Sequence, residues 1–218
     1  MSKAPSGVRI TGHPLSESIF TELRSAILRG RLRPGEKVSE QQVCDKFGLS
    51  RTPVREAFRQ LELEGLIETI PNRGAFVVGL TQRDLADLFE MRKAYEILAV
   101  KWAIERITKE EMEKLEEAYE FMEFYTMKQE ADKMLNINMQ FHNLIYKASH
   151  NRMLEHTLST YQLYLKETES NSAYLNGHLE EVLKEHKQIF DAFVNKDPEK
   201  GMVAAAMHLD NAKARASK

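Results

Sequence analysis

Between residues 50 and 77 the chain reads SRTPVREAFRQLELEGLIETIPNRGAFV, and its hydrophobic period changes partway through. Val54, Phe58 and Leu61 recur at helical spacing behind Ser50, a residue suited to capping. Pro53 falls in the first turn, where no backbone hydrogen bond is lost. Gly65 ends the helix. The runs LIET and AFVV are then β-prone and joined by the turn-rich IPNRG, which is a hairpin signal. A short amphipathic helix running straight into a hairpin must bury its apolar face against something nearby.

The upstream sequence supplies the partners. Leu15, Ile19, Leu23, Ile27 and Leu28 predict a first helix from about Leu15 to Arg29, stopped at Gly30. RLRPGEKV reads as a turn in which Pro34-Gly35 suits type II geometry. Ser39 with Gln42 three residues on reads as a capping box that opens a second short helix ending at Phe47. Gly48-Leu49 is a tight turn before the third helix. Helix, helix, turn, helix, hairpin is the winged helix-turn-helix arrangement, expected over residues 15–79. Residues 1–14, with Pro5, Gly7 and Gly12 and little periodicity, read as a flexible arm.

From Thr81 the pattern is helical to the end. Helices are expected from Thr81 (with Asp84) through MRKAYEILAVKWAIERI, from Thr108 (boxed with Glu111) to about Gln129, and over about 130–149. Three more follow, over about 153–170, from Leu179 to Asn195, and from Asp197-Pro198 onward. Residues 80–218 should therefore form an all-α bundle. The fold class is mainly α: an N-terminal winged helix-turn-helix domain and a C-terminal all-α helical domain.

Composition narrows the setting. The single Cys44 excludes a disulfide framework and fits a reducing cytoplasm. No run approaches the ~20 apolar residues of a membrane helix, and the N-terminus lacks a signal-peptide core, so no membrane association is expected. The net charge of −2 does not announce nucleic acid. Residues 1–80 hold 12 Lys/Arg against 9 Asp/Glu, while the remainder holds 19 against 24. That asymmetry is mild, and the arrangement of particular residues says more.

Arg51 and Arg55 are four apart and share one face at the start of the third helix, with Thr52 beside them and Arg59 continuing the row. Such a helix can enter a major groove by its N-terminal end, where backbone N–H groups and the dipole favour phosphate. Arginine can bond guanine O6 and N7 in bidentate fashion or clamp a phosphate. At the hairpin tip, Arg73 and Gly74 form a small basic finger suited to the minor groove or the backbone. Two arginines alone read more readily as a solvated helix face; the capped helix, Gly turn, basic helix and hairpin together point to double-stranded DNA.

Three histidines stand out in the second half. His142 lies in NINMQFHNLIY, His186 in EVLKEHKQIFDAF and His208 in MVAAAMHLDNA, each amid an apolar helical stripe. Asn138 precedes His142 by four residues and shares its face. The three helices would offer three imidazoles and one side-chain oxygen to a common point if they converge, a set suited to Zn, Ni, Co, Mn or Fe. Taken singly, each reads more readily as a satisfied core histidine. Arg92 in FEMRKAYE is either a cationic partner for a ligand or the ion-pair partner of Glu96, four residues on. Tyr161, Tyr164 and Tyr174 are candidate pocket walls whose spacing also fits packing.

GEKVSEQQVCDKFGLSRTPVREAFRQLELEGLIETIPNRGAFV resembles the N-terminal domain of the GntR family of bacterial transcription regulators, over about residues 15–78. The resemblance implies operator contacts by Ser50, Arg51, Thr52, Arg55, Arg73 and Gly74. Many relatives carry Arg where this chain has Gln41, so the contact from the second helix is made by an uncharged amide here. Residues 84–212 are similar to the FCD effector-binding domain of the FadR subfamily, carried by DLADLFEMRKAYEILAVKWA, FHNLIYKASHNRML and EHKQIFDAFVNKDPEKGMVAAAMHLDN. In metal-containing members the site is Asp-x3-His plus two later His. His142, His186 and His208 match the three, and Asn138 stands at the Asp position, which implies weaker metal binding or a compensating anion. Arg92 matches a family arginine near the cavity.

The expected function is a homodimeric, cytoplasmic bacterial transcription regulator, a repressor on a palindromic operator. It would answer to a small carboxylate effector bound near a divalent transition metal such as Zn or Ni. Two alternatives stand beside it: a metal-sensing regulator with no organic effector, and a metal-dependent hydrolase with an accessory DNA-binding domain. Against the hydrolase, the chain has no His-Asp dipeptide, and no catalytic carboxylate pair, Ser/His/Asp pattern or phosphate loop stands out; it is not expected to be an enzyme.

Overall fold

A computed structural model describes residues 15–167 and 177–216. The expected arm over 1–14, and Tyr174 with the interruption around it, lie outside the described residues. The chain divides after Thr81 into two compact units.

The first unit is built on α1 (Leu15–Leu28), α2 (Glu40–Phe47) and α3 (Arg51–Leu63). Ile19, Leu23 and Ile27 of α1 are buried, as are Val54, Phe58 and Leu61 of α3, and α1 packs on α3. Ser39 caps α2, its Oγ accepting from the Gln42 N–H at 3.5 Å, and Gly48 ends the helix in the left-handed region at φ 66°. Ser50 stands at the N-cap of α3 with extended backbone but makes no side-chain capping bond. Its hydroxyl is therefore not committed to the helix it precedes.

The wing has three strands rather than two. β2 (Ile67–Ile70) and β3 (Gly74–Val77) form the expected hairpin, with Ile67 opposite Val77 and Ile70 opposite Gly74. β1 (Lys37–Val38) adds to the other edge of β3, pairing Lys37 with Phe76 and Val38 with Ala75. Arg73 N–H closes the tip by donating to Ile70 O at 3.0 Å, with Asn72 at φ 63°. Gly74 follows at φ 101°, where a side chain would be strained and its Cβ would stand 3.0 Å from Lys37 Cε.

The second unit comprises α4 (Gln82–Arg106), α5 (Lys109–Met127), α6 (Ala131–Ala148), α7 (Arg152–Glu167), α8 (Leu179–Val194) and α9 (Pro198–Ala216). Thr108 and Glu111 form a complete capping box on α5, and Asp197 Oδ1 caps α9 by accepting from Lys200 N–H at 3.1 Å. The core joins Val100 of α4, Leu115 and Met122 of α5, Phe141 and Ile145 of α6, and Ile189 and Phe193 of α8. α4 packs closely on α9 because Gly201 has no side chain: a Cβ there would lie 2.4 Å from Ile104 Cδ1 and 2.9 Å from Val100 Cγ1. Among the described residues, no helix is long and apolar enough to cross a membrane.

Candidate nucleic-acid interface and metal centre

The two candidate sites lie in different units. In the first, Gln41, Ser50, Arg51, Thr52, Arg55 and Arg59 are all exposed, as are Arg73 and Gly74 at the wing tip. The α3 arginines are held from α2. Arg55 Nε donates to Glu40 Oε2 at 3.0 Å, and Arg51 Nη2 donates to Gln41 Oε1 at 3.1 Å. Gln41 in turn donates to Asp45 Oδ1 at 2.9 Å. Gln41, where many relatives carry Arg, thus orients the Arg51 side chain. A cleft of about 410 Å³ is bounded by the start of α2, by Arg51, Arg55 and Arg59 of α3, and by Lys37 and Gly74 of the wing. The Arg73 guanidinium lies over the Phe76 ring, 5.7 Å from its centroid.

In the second unit the three histidines converge. His142 on α6, His186 on α8 and His208 on α9 are buried, and a ligand nitrogen from each lies within 4.8 Å of the others. Their other nitrogens are all engaged. His142 Nδ1 lies 3.2 Å from Glu96 Oε2, His186 Nδ1 lies 2.7 Å from Val182 O, and His208 Nδ1 lies 2.9 Å from Glu185 Oε2. Each acceptor draws the proton onto Nδ1 and leaves Nε2 as a lone pair aimed inward. His142 Nε2 and His186 Nε2 consequently face one another at 3.1 Å. Two lone pairs at that distance need a positive centre with them, a proton or a metal ion.

The partners that orient these rings are themselves anchored. Glu96 accepts from Arg92 Nε at 2.6 Å and from the Tyr146 hydroxyl. Glu185 accepts from Arg215 Nη1 at 2.8 Å and Nη2 at 2.7 Å, and from Asn211 Nδ2 at 2.8 Å. Arg92 is thus buried in an ion pair with Glu96, the alternative that its spacing allowed. Tyr161 is half-buried against Tyr95 with ring centroids 6.1 Å apart, and Tyr164 is half-buried.

Electrostatics fit this geometry. Burial, reinforced by the His208 and His142 rings, pushes His186 well below the ordinary imidazole value. Burial also brings His208 down to about 4, against the opposing pull of Glu185. Burial would raise Glu185, but its bonds with Arg215 and His208 outweigh this and bring it to about 2. Burial likewise opposes ionisation of Glu96, and the Arg92 guanidinium outweighs it, holding that carboxyl well below the usual range. The carboxylates are ionised and His186 and His208 are neutral, the state a metal requires of its ligands.

Asn138, one turn before His142, is buried and its Oδ1 has no hydrogen-bond partner. An orphaned buried carbonyl oxygen costs free energy unless it meets a donor or a cation. Three inward lone pairs and one orphaned oxygen fit a divalent transition metal. Sequence reasoning missed Glu96, Tyr146, Glu185 and Arg215 as supports of these rings. The available signals were Glu96 four residues after Arg92, and Glu185 adjoining His186 on an apolar helix.

Comparisons with known proteins agree with both halves. Residues 15–77 match the bacterial regulatory proteins of the gntR family, and residues 87–211 match the FCD domain. The chain is 30% identical over 197 residues to the uncharacterized HTH-type transcriptional regulator YdhC of Bacillus subtilis (strain 168), an alignment covering 90% of this chain and 86% of the relative. It is 26% identical over 211 residues to the galactonate operon transcriptional repressor of Escherichia coli (strain K12), covering 87% and 91%. The solved structure of E. coli McbR/YncC has the same fold, with a TM-score of 0.72 at 21% identity over 94% of this chain and 98% of that one. The chain belongs to the GntR family of bacterial regulators, in the FadR-type subfamily that joins a helix-turn-helix domain to an FCD domain, and it is a DNA-binding transcription regulator, not an enzyme.

Proposed function

We propose that this regulator is a repressor whose affinity for its operator is set by a small carboxylate bound beside a divalent metal in the helical unit. The observation that carries the reading is the convergence of three buried imidazoles whose Nδ1 atoms are all engaged, leaving the Nε2 lone pairs for one cation. His142, His186 and His208 would hold the metal, with Asn138 Oδ1 as the fourth donor. When bound, the metal supplies Lewis acidity toward a carboxylate oxygen.

Charge favours an anionic effector. The three imidazoles and Asn138 contribute no negative charge. Glu96 is matched by Arg92 and Glu185 by Arg215. A dication at this point therefore keeps its full positive charge, in a site closed to bulk water by burial. A carboxylate with a neighbouring hydroxyl, the chemistry of a sugar acid, fits that demand, and one relative is named for a galactonate operon.

In the first unit, Ser50, Arg51, Thr52 and Arg55 would enter the major groove, with Gln41 supporting Arg51 and with Arg73 and Gly74 following the wing to the backbone or the minor groove. Two such heads in a homodimer would read a palindromic operator in the bacterial cytoplasm. The effector acts by binding one arrangement of the dimer better than another. Elemental analysis of the purified protein, followed by thermal shifts with hydroxycarboxylates, tests the reading. One metal per chain and stabilisation by an acid support it. Metal without any response to acids favours a metal sensor, and neither metal nor response contradicts it.

A further inference from the structure

Glu40 is an acidic group at the centre of a basic, DNA-facing surface; as the acid in the first turn of α2 it suits the helix dipole, which explains a carboxylate there but not its pairing with Arg55. It opens α2 beside the Ser39 cap, and its carboxylate accepts from Arg55 Nε at 3.0 Å. The two side chains are 39% and 62% exposed. An ion pair this open adds little to stability. On a surface meant for phosphates, a carboxylate also lowers affinity for every duplex, since non-specific binding is almost wholly electrostatic. A residue with both properties is explained by what it does to Arg55.

An arginine on a flexible stem presents its fork in many directions. With Nε–H held by Glu40, the Nη1–Nη2 edge of Arg55 is turned away from the pair, leaving two N–H groups side by side. That edge matches guanine O6 and N7. The neighbouring Arg51 is held from the same helix, through Nη2 rather than Nε, by the uncharged Gln41, which is tied to Asp45. Both holding residues come from the first turn of α2, so one rigid element orients both reading arginines.

We propose that Glu40 is a specificity-determining residue: it fixes the Arg55 guanidinium toward one guanine and repels backbone phosphate from the same place. The inference rests on DNA reading by α3. Glu40 lowers affinity for random duplex and raises it for the operator, so its removal moves the two in opposite directions. A residue that only supported the fold would move both together.

The test starts with selection of a preferred duplex by the wild-type full-length protein from a pool of randomised duplexes. Affinities for that duplex and for a scrambled one of equal length are then measured for wild type, Glu40→Ala and Glu40→Gln. Glu40→Ala is expected to bind the scrambled duplex a few-fold more tightly and the selected duplex about tenfold more weakly. Repeating the selection with Glu40→Ala should leave one guanine position degenerate. Glu40→Gln keeps an oxygen acceptor without the charge, so it should gain on scrambled duplex while losing less on the selected one. Parallel loss on both duplexes, parallel gain on both, or unchanged base preference overturns the proposal. Failure of the wild type to enrich any sequence would instead contradict DNA reading by α3.

Discussion

His142 Nε2 and His186 Nε2 face one another at 3.1 Å while each ring's Nδ1 is engaged elsewhere, by Glu96 and by the Val182 carbonyl. A metal ion would take both lone pairs at once. His186→Ala should bind zinc about 100-fold more weakly in competition with a chelator of known affinity, since two imidazoles and an amide hold it far less well. Wild-type affinity in the variant would contradict this arrangement.

Asn138 offers the neutral oxygen where a carboxylate would add charge. Asn138→Asp should bind zinc or nickel about 10-fold or more tightly, because an anionic oxygen is the stronger donor to a divalent ion. The same change should weaken the response to carboxylates, since it cancels part of the charge that attracts them. Competition with a chelator of known affinity measures the first effect. Equal metal affinity in the two proteins would remove Asn138 from the site.

Acid should destabilise the metal-free protein before it affects ordinary carboxylates. His208 is lowered from 6.5 to about 4 in the folded state, and His186 lies well below 6.5. The unfolded chain therefore binds protons that the folded chain refuses. Stability is full above about pH 6.5 and is lost as pH falls toward 4. For His208 alone the loss approaches on the order of 3 kcal/mol. Glu185, lowered to about 2, adds a further loss below about 4.5. Melting temperatures measured with chelator present should fall from pH 7 to pH 4, and a flat profile would mean that these rings accept protons without cost.

Gly201 permits α4 and α9 to touch. A valine there places carbons where Ile104 and Val100 already stand, and overpacking of this kind costs about 1–3 kcal/mol or more. Gly201→Val should lower the urea midpoint of the helical unit. An unchanged midpoint would show that the two helices separate without cost.

Much of this was legible in the chain, and the exceptions share a cause. Helical periodicity and capping signals together predicted α1 to α9, and the switch of period after Gly65 predicted the hairpin. β1 was missed because two residues carry no period of their own; Lys37 and Val38 are a strand only through their pairing with β3. Arg51 and Arg55 could be placed on one face by spacing alone. Their links to Gln41 and Glu40 depend on how α2 meets α3. The three histidines were readable as candidates, but their convergence is a property of helix packing. Glu96 and Glu185 were harder still, since a buried carboxylate is recognisable only once its arginine is known, and Arg215 lies 30 residues beyond Glu185.

One titration tests whether the metal centre is coupled to DNA binding. Fluorescence anisotropy of a selected duplex would be followed with zinc-loaded protein as D-galactonate, D-gluconate and simple dicarboxylates are added. At least one acid should change duplex affinity by about 5-fold or more, the usual range of coupling between sites, and His186→Ala should lose the response while still binding the duplex. Duplex affinity unmoved by every acid, or a response that survives in His186→Ala, would contradict that coupling.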